Sequence, residues 1–349
     1  MPPPVAVPPT AAVPPPALPP LDDLLAEAQV VALPLVTRFR GIELREAMLL
    51  RGPQGWTEFS PFTEYGDEES AAWLAAAIDF GWNAAPPARR GRIPVNATLP
   101  AVGPESVERV LARYAGTRTV KVKVAEPGQG LADDVARVRA VRAFLGPEGR
   151  IRLDANGGWN VDEAEHAAHT LAAFDLEYLE QPCATIAELV ELRGRLHDWL
   201  LPIAADESVR KAEDPLAVAR AGAADILVIK AQPLGGIHRA LGIVAAAGLP
   251  VVVSSALETS VGISMGAALA AAIPDLNYDC GLATVGLFDE DVAAEPLVAV
   301  AGSIEVRRVE VDERVLVERA ASHDRGNWWR ARLTRCYHLL VEPPVTPGS

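Results

Sequence analysis

The chain has 349 residues, half of them hydrophobic, and a formal net charge of −14. That length can bury a large core, as one big α/β domain or two domains, while the acid excess excludes a nucleic-acid partner, which needs clustered Lys and Arg against phosphates. Cys183, Cys280 and Cys336 are odd in number, far apart and without CxxC spacing, so they form neither a disulfide framework nor a zinc site and fit a reducing cytoplasm.

In chain order, the first 20 residues hold ten prolines and no Lys or Arg, which is no secretory signal and predicts a disordered, polyproline-like tail over 1–28. "QVVALPLVTRFRGIELREAMLLRGPQGWTEF" predicts three antiparallel strands with a hairpin turn at Gly52–Gly55, and residues 67–80 a helix. Together they make a small α+β domain over 29–93. From residue 94 onward eight short apolar runs recur at even spacing. They are "PVNATL" at 94, "VKVKV" at 120, "IRLDAN" at 151, "LEYLEQP" at 176, "LPIAADES" at 201, "DILVIK" at 225, "VVVSS" at 251 and "LNYDCG" at 276. Ala-, Leu- and Arg-rich helical segments such as "DDVARVRAVRAFLG" separate them, often closed by Gly. Strands alternating with single helices imply parallel pairing, and eight of them over 94–287 imply a closed barrel. No glycine-rich dinucleotide fingerprint follows the first strand, which argues against an open doubly wound sheet.

Residues 241–257 carry no charge, but Gly248 and Pro250 divide them into a buried helix end and a strand, so no membrane span is expected. "PLVAVAGSIEVRRVEV" predicts further strand, with 288–335 returning to the first domain and 336–349 forming a tail. Trp328 and Trp329 are expected to pack under that first domain, or in an interface, rather than to form a ligand platform.

Lysines in "VKVKV" pose the question of function. Side chains alternate along a strand, so Lys121 and Lys123 share one face and the valines the other. Alone, this describes an edge strand whose lysines deter aggregation. In a barrel, however, chemistry gathers at the C-terminal strand ends. The last charged residues of five successive strands are Lys123, Asp154, Glu180, Asp206 and Lys230, separated by 31, 26, 26 and 24 positions. These match the strand-plus-helix repeat, so the five ring one mouth.

Asp154 alone could start a turn and Asp206 could cap a helix. Converging from adjacent strands, each pair of carboxylates about 4 Å apart would repel by roughly 4 kcal/mol at an effective dielectric near 20, which a cation relieves. Oxygen-only ligands point to Mg²⁺ or Mn²⁺ rather than zinc. Asn156 and Glu207 either support these ligands or serve as ordinary turn and cap residues. A lysine beside a cation and another lysine has its charged form disfavoured and can act as a base. Lys123 and Lys230, separated by the three carboxylate strands, are expected to face each other across a small-molecule carboxylate substrate whose enediolate a metal stabilises. His166 and His169 read as a solvated helix face, lacking the HExxH pattern, and Gly235 and Gly236 as a turn at a helix start rather than a phosphate cradle.

"KVK" at 121–123, "DAN" at 154–156, "EQP" at 180–182, "DES" at 206–208 and the strand-terminal Lys230 resemble the enolase superfamily. They resemble in particular its muconate-lactonising-enzyme subgroup, over roughly residues 29–325. That resemblance implies a (β/α)₇β modified TIM barrel under an α+β capping domain. Within the subgroup, "TRFRGIELRE" at 37–46 and "SSALETSVG" at 254–262 are similar to the o-succinylbenzoate synthases of menaquinone biosynthesis, of actinobacterial type. N-succinylamino acid racemases and dipeptide epimerases share the lysines and carboxylates and stay as alternatives, as does a non-catalytic metal-binding barrel. The epimerase pattern has Asp-x-Asp near the eighth strand, where this chain has "DCG" at 279–281.

The synthase resemblance implies a metal-assisted syn dehydration of 2-succinyl-6-hydroxy-2,4-cyclohexadiene-1-carboxylate to 2-succinylbenzoate. Lys123 would remove the α-proton and protonate the departing hydroxyl; Lys230 would stabilise the enediolate from the opposite face; Lys121 would tune Lys123. Asp154, Glu180 and Asp206 would bind the metal. Ser254 and the Gly281 backbone would contact the succinyl carboxylate, and the Arg38–Gly41 loop, with Arg40, would form a lid.

Overall fold

The computed structural model describes residues 18–210 and 214–342, so most of the expected N-terminal tail and residues 343–349 lie outside the described residues. Helix α1 (Leu21–Ala26) falls within the stretch read as tail and buries Leu24. Strands β1 (Gln29–Phe39), β2 (Ile42–Gly52) and β3 (Gly55–Phe59) follow as an antiparallel sheet in that order. Gly52 and Gly55 are partners at the hairpin end as the sequence predicts, with Gly55 at φ 112°, where only glycine sits without strain. Helix α2 (Asp67–Trp82) opens with Asp67, Glu68 and Glu69, acids that suit the positive end of a helix dipole, and buries Trp73, Leu74, Ile78 and Phe80. It packs on β2 and β3 and completes the cap.

Strand β4 (Arg92–Pro94) leads into β5 (Ala97–Leu99), and after α3 (Val107–Leu111) the strand–helix alternation becomes regular. It runs β6 (Thr119–Lys123), α4 (Leu131–Leu145), β7 (Arg150–Asp154), α5 (Val161–Leu171), β8 (Leu176–Glu180) and α6 (Ile186–Arg195). Then come β9 (Ile203–Ala205), α7 (Glu207–Arg210), α8 (Ala217–Ala221), β10 (Ile226–Ile229), α9 (Ile237–Ala247), β11 (Val251–Val253) and α10 (Ser260–Ala272). The seven strands β5 to β11 form one sheet in sequence order, every neighbouring pair parallel.

The eighth predicted strand is reduced to two parallel bridges, Val95 with Cys280 and Ser254 with Gly281. They close the circle: Cys280 N donates to Pro94 O at 2.8 Å and Gly281 N to Val253 O at 2.9 Å. The ladder goes no further back because Asp279 O accepts from the Arg152 guanidinium at 2.6 Å instead. Inside the barrel, below the mouth, Tyr178, Ala204, Ile226, Val228 and Val252 form a separate apolar cluster, with Arg152 4.8 Å from the Tyr178 ring. Val120 and Val122 face the outer helices with the main core, while Lys121 and Lys123 point inward.

The C-terminal segment returns to the cap, but mainly as helix. Only β12 (Ser303–Glu305) is strand, antiparallel to β4. Helix α11 (Glu313–Glu318) follows, then the 19-residue α12 (His323–Val341), capped by Ser322 and packed on α2 and β1. Helix α12 thus occupies residues 336–341, which the sequence reading gave to a tail. Its apolar spacing explains this: Trp329, Leu333 and Cys336 are all buried on one helical face. Trp329 does pack under the cap, edge-on to Phe59 at 5.7 Å. No helix among the described residues is long and apolar enough to cross a membrane.

Candidate active site

Parallel register brings the charged strand ends together. Lys123 is the Cα partner of Asp154, and Asp154 of Glu180, across β6, β7 and β8. Asp206 and Lys230 directly follow β9 and β10. Lys123 Nζ lies 2.6 Å from Asp154 Oδ2 and 2.7 Å from Asn156 Oδ1. Lys121 Nζ donates to Glu180 Oε1 at 2.8 Å and stands 3.2 Å from Asp154 Oδ2. Lys230 Nζ is 2.5 Å from Asp206 Oδ2. Asn156, at φ 48°, also donates to Glu207 Oε1 at 3.2 Å.

Above these groups is a narrow cleft between the barrel mouth and the cap. Lys121, Lys123, Lys230, Asp154, Asn156 and Glu207 line it, as do Ser254, Gly281 and the cap's Arg40. Glu180 and Asp206 lie beneath it, almost wholly buried. Gly281 plays a different part from the one expected. Its N–H is already committed to Val253 O, and a Cβ there would meet Ser254 Oγ at 2.4 Å, so the residue supplies room rather than a donor.

Charge sets the site's acidities. Burial raises Asp154, but Lys123 and Lys121 more than offset it and hold its carboxyl far below the usual range. Burial likewise raises Asp206, yet Lys230 and then Arg210 bring it down to about 2. Glu180 is pushed up to about 7, by burial first and then by Asp154. Burial pulls Lys121 down, but Glu180 and Asp154 outweigh it and hold the amine well above its ordinary value. Lys123 ends below its ordinary value because burial, with help from Lys121, exceeds the pull of Asp154. Two lysines on one strand face are thus set in opposite directions.

Residues Asp154, Glu180 and Asp206 fit a hard divalent cation in donor type, and the buried Glu180 Oε2 has no hydrogen-bond donor, while Asp206 Oδ1 has only the Arg210 guanidinium beside it. Their spacing differs from the expectation of a ready acidic trio: among the described residues no three His, Cys, Asp or Glu side chains are gathered closely enough to hold a metal. Amines stand between the carboxylates instead, Lys121 bridging Asp154 and Glu180.

Three neighbours escaped the sequence reading. Arg210 Nε is 3.3 Å from Asp206 Oδ1, and its Nη2 donates to Glu207 Oε1 at 2.8 Å. Its Nη1 reaches the Tyr65 hydroxyl at 3.2 Å, which Arg40 Nη2 meets at 3.3 Å. The cap's Arg45 bonds the backbone at Leu257. Only Arg210 left a signal, standing four residues after Asp206 where a helix turn brings it back. Gly235 and Gly236 form the expected turn, and Asp79 of the cap, accepting from Ile237 N at 2.7 Å, occupies the helix start. His169 stacks on Trp199 at 4.2 Å.

A parallel barrel with acids and amines at its C-terminal mouth, covered by a separate α+β cap, defines a class. Residues 105–311 match the enolase C-terminal domain-like family and residues 30–81 the enolase N-terminal domain-like family; the chain belongs to the enolase superfamily. It is 57% identical over 321 residues to an o-succinylbenzoate synthase of Mycobacterium ulcerans (strain Agy99), covering 92% of this chain and 96% of that one. It is 56% identical over 325 residues to an o-succinylbenzoate synthase of Mycobacterium tuberculosis (strain ATCC 25618 / H37Rv), covering 93% and 98%. In fold it is similar to the 2-chloromuconate cycloisomerase of Rhodococcus opacus 1CP, with a TM-score of 0.71, 24% identity and coverage of 84% and 98%. Superfamily membership implies a divalent metal.

Proposed function

We propose that the chain is an o-succinylbenzoate synthase, a hydro-lyase that converts 2-succinyl-6-hydroxy-2,4-cyclohexadiene-1-carboxylate to 2-succinylbenzoate and water. Menaquinone biosynthesis in the cytoplasm is its setting. The observation that carries this reading is that Lys123 and Lys230, on strands four apart in the sheet, line one cleft and each pairs with a carboxylate suited to a metal. The identity to o-succinylbenzoate synthases over nearly the whole chain supports it.

Asp154, Glu180 and Asp206 would hold Mg²⁺, or Mn²⁺ in its place. Bound there, the cation would supply positive charge to the substrate carboxylate and so lower the cost of losing the α-proton. Burial favours a neutral Lys123 amine, whose Nζ takes that proton; the electron pair passes into an enediolate. The same Nζ returns the proton to the leaving hydroxyl on the same face, so one water departs and the ring becomes aromatic. Lys230, approaching from the other side, faces the negative charge as a fixed donor. Lys121, held protonated by Glu180 and Asp154, keeps a positive field beside Lys123. Ser254 Oγ and Arg40 meet the succinyl carboxylate, with Gly281 leaving room for the Ser254 hydroxyl. Asp279 is bonded to Thr119 Oγ1 at 2.6 Å and Arg150 Nη2 at 2.7 Å, so it is not offered to a substrate amine, which speaks against a dipeptide epimerase.

The test is turnover of the cyclohexadiene substrate with Mg²⁺ beside an N-succinylamino acid. Dehydration faster than racemisation is expected. No dehydration under conditions in which a known synthase works overturns the reading.

A further inference from the structure

The two stretches that carry the synthase resemblance, 37–46 and 254–262, are joined through one side chain. Arg45 leaves β2 of the cap and is 2% exposed. Its donors go to backbone oxygens on both domains: Nε to Leu257 O at 3.0 Å, Nη2 to Ala256 O at 3.4 Å and to Ser60 O, and Nη1 to Glu46 O at 3.3 Å. Ser60 Oγ also accepts from Nη2, at 3.2 Å. The guanidinium lies 4.4 Å from the centre of the Phe62 ring.

Residues Ser254 to Leu257 form one wall of the cleft. The barrel domain ties down the first three, through Ser254 N to Ile229 O at 2.9 Å, Ser255 N to Gly281 O at 3.0 Å and Ala256 N to Glu258 Oε2 at 2.5 Å. The wall leaves the sheet after Ser255, and Leu257 takes φ 62°, a conformation a leucine adopts only when its surroundings impose it. Arg45 is the constraint that reaches the wall's carbonyls from the cap. A planar fork that holds two successive carbonyls fixes both peptide planes, because each is rigid and trans.

We propose that Arg45 is a positioning residue that holds the 256–257 wall in the shape receiving the succinyl arm, so that the cap sets affinity for the substrate's second carboxylate without touching the reacting atoms. This rests on the synthase reading and adds which part of the substrate the wall recognises. A lysine, with one point charge in place of a fork, cannot hold both carbonyls at once.

The experiment compares the Mg²⁺-loaded wild type with Arg45→Lys and Ser60→Ala, which loosens the guanidinium without removing it. It measures KM, kcat and Tm, and competitive inhibition by 2-succinylbenzoate and by benzoate. Arg45→Lys is expected to raise KM about tenfold with kcat within about threefold, and Ser60→Ala to raise it less. Both should lower the preference for 2-succinylbenzoate over benzoate. Unchanged KM and inhibitor preference in folded Arg45→Lys, or in Ser60→Ala should the former not fold, overturns the inference, as does a fall in kcat at constant KM. A wild type that dehydrates nothing overturns the synthase reading itself, a result distinct from these.

Discussion

Lys123 and Asp154 are Cα partners on adjacent parallel strands, and the amine of one lies 2.6 Å from the carboxylate of the other. The amine and a divalent cation therefore draw on the same Asp154 oxygen. Lys123→Ala should lose about 10²- to 10⁴-fold in kcat with its circular dichroism unchanged, yet bind Mg²⁺ more tightly than wild type in titration calorimetry. Weaker binding in the variant would show that the lysine helps rather than competes.

Removing a carboxylate should do the reverse. Asp154→Asn is expected to weaken Mg²⁺ binding by about a hundredfold or more, since even partners outside the ligand set are worth about 10- to 100-fold. Chelation of the wild type with EDTA should abolish turnover, and added Mg²⁺ should restore it. Turnover that survives exhaustive chelation would contradict the assignment of the acidic residues.

A stability prediction comes from Glu58, buried where β3 of the cap meets the start of α10. It accepts from Thr259 Oγ1 and Gly262 N, at 2.5 and 3.0 Å. Burial, then the nearby Glu258, pushes its carboxyl up to about 7. The folded value lies above the unfolded one, so the folded chain favours the protonated form. The stabilisation is complete below about pH 4.5 and is lost as pH rises through about 7. Glu58→Gln should thus gain on wild type in denaturant midpoint between pH 5 and 7.5, by up to about 3 kcal/mol. A constant difference across that range would refute it.

Gly236 offers a test of the contact between cap and barrel. It sits at φ 115° before α9, and a Cβ there would lie 2.5 Å from Asp79 Oδ2. Asp79 caps that helix and pairs with His238 Nδ1 at 2.7 Å. Gly236→Ala should cost about 1–3 kcal/mol, read from urea unfolding. A midpoint unchanged within error would mean the cap yields at this joint.

What the sequence revealed, and what it hid, follows from distance along the chain. The strand-end acids and amines were legible because each parallel strand–helix unit has nearly the same length, so equivalent positions recur in register. The eighth strand was placed correctly but not its extent, which depends on Arg152 taking a carbonyl from a distant segment. Arg45 and Arg210 had no such period to betray them: their bonds to Leu257 and Tyr65 span 212 and 145 residues. Helix α12 was different, for its buried Trp329, Leu333 and Cys336 already stand at helical intervals in the sequence.

The joint that shuts the barrel consists of Val95 with Cys280 and Ser254 with Gly281, and the second pair also walls the cleft. Segments from opposite ends of a 186-residue stretch must meet before the barrel is shut, a closure of high contact order. A ligand seated against Ser254 and Gly281 would, by mass action, resist the unzipping of that pair. Substrate would then act as a rivet as well as a reactant, leaving the chain hardest to open while it is at work.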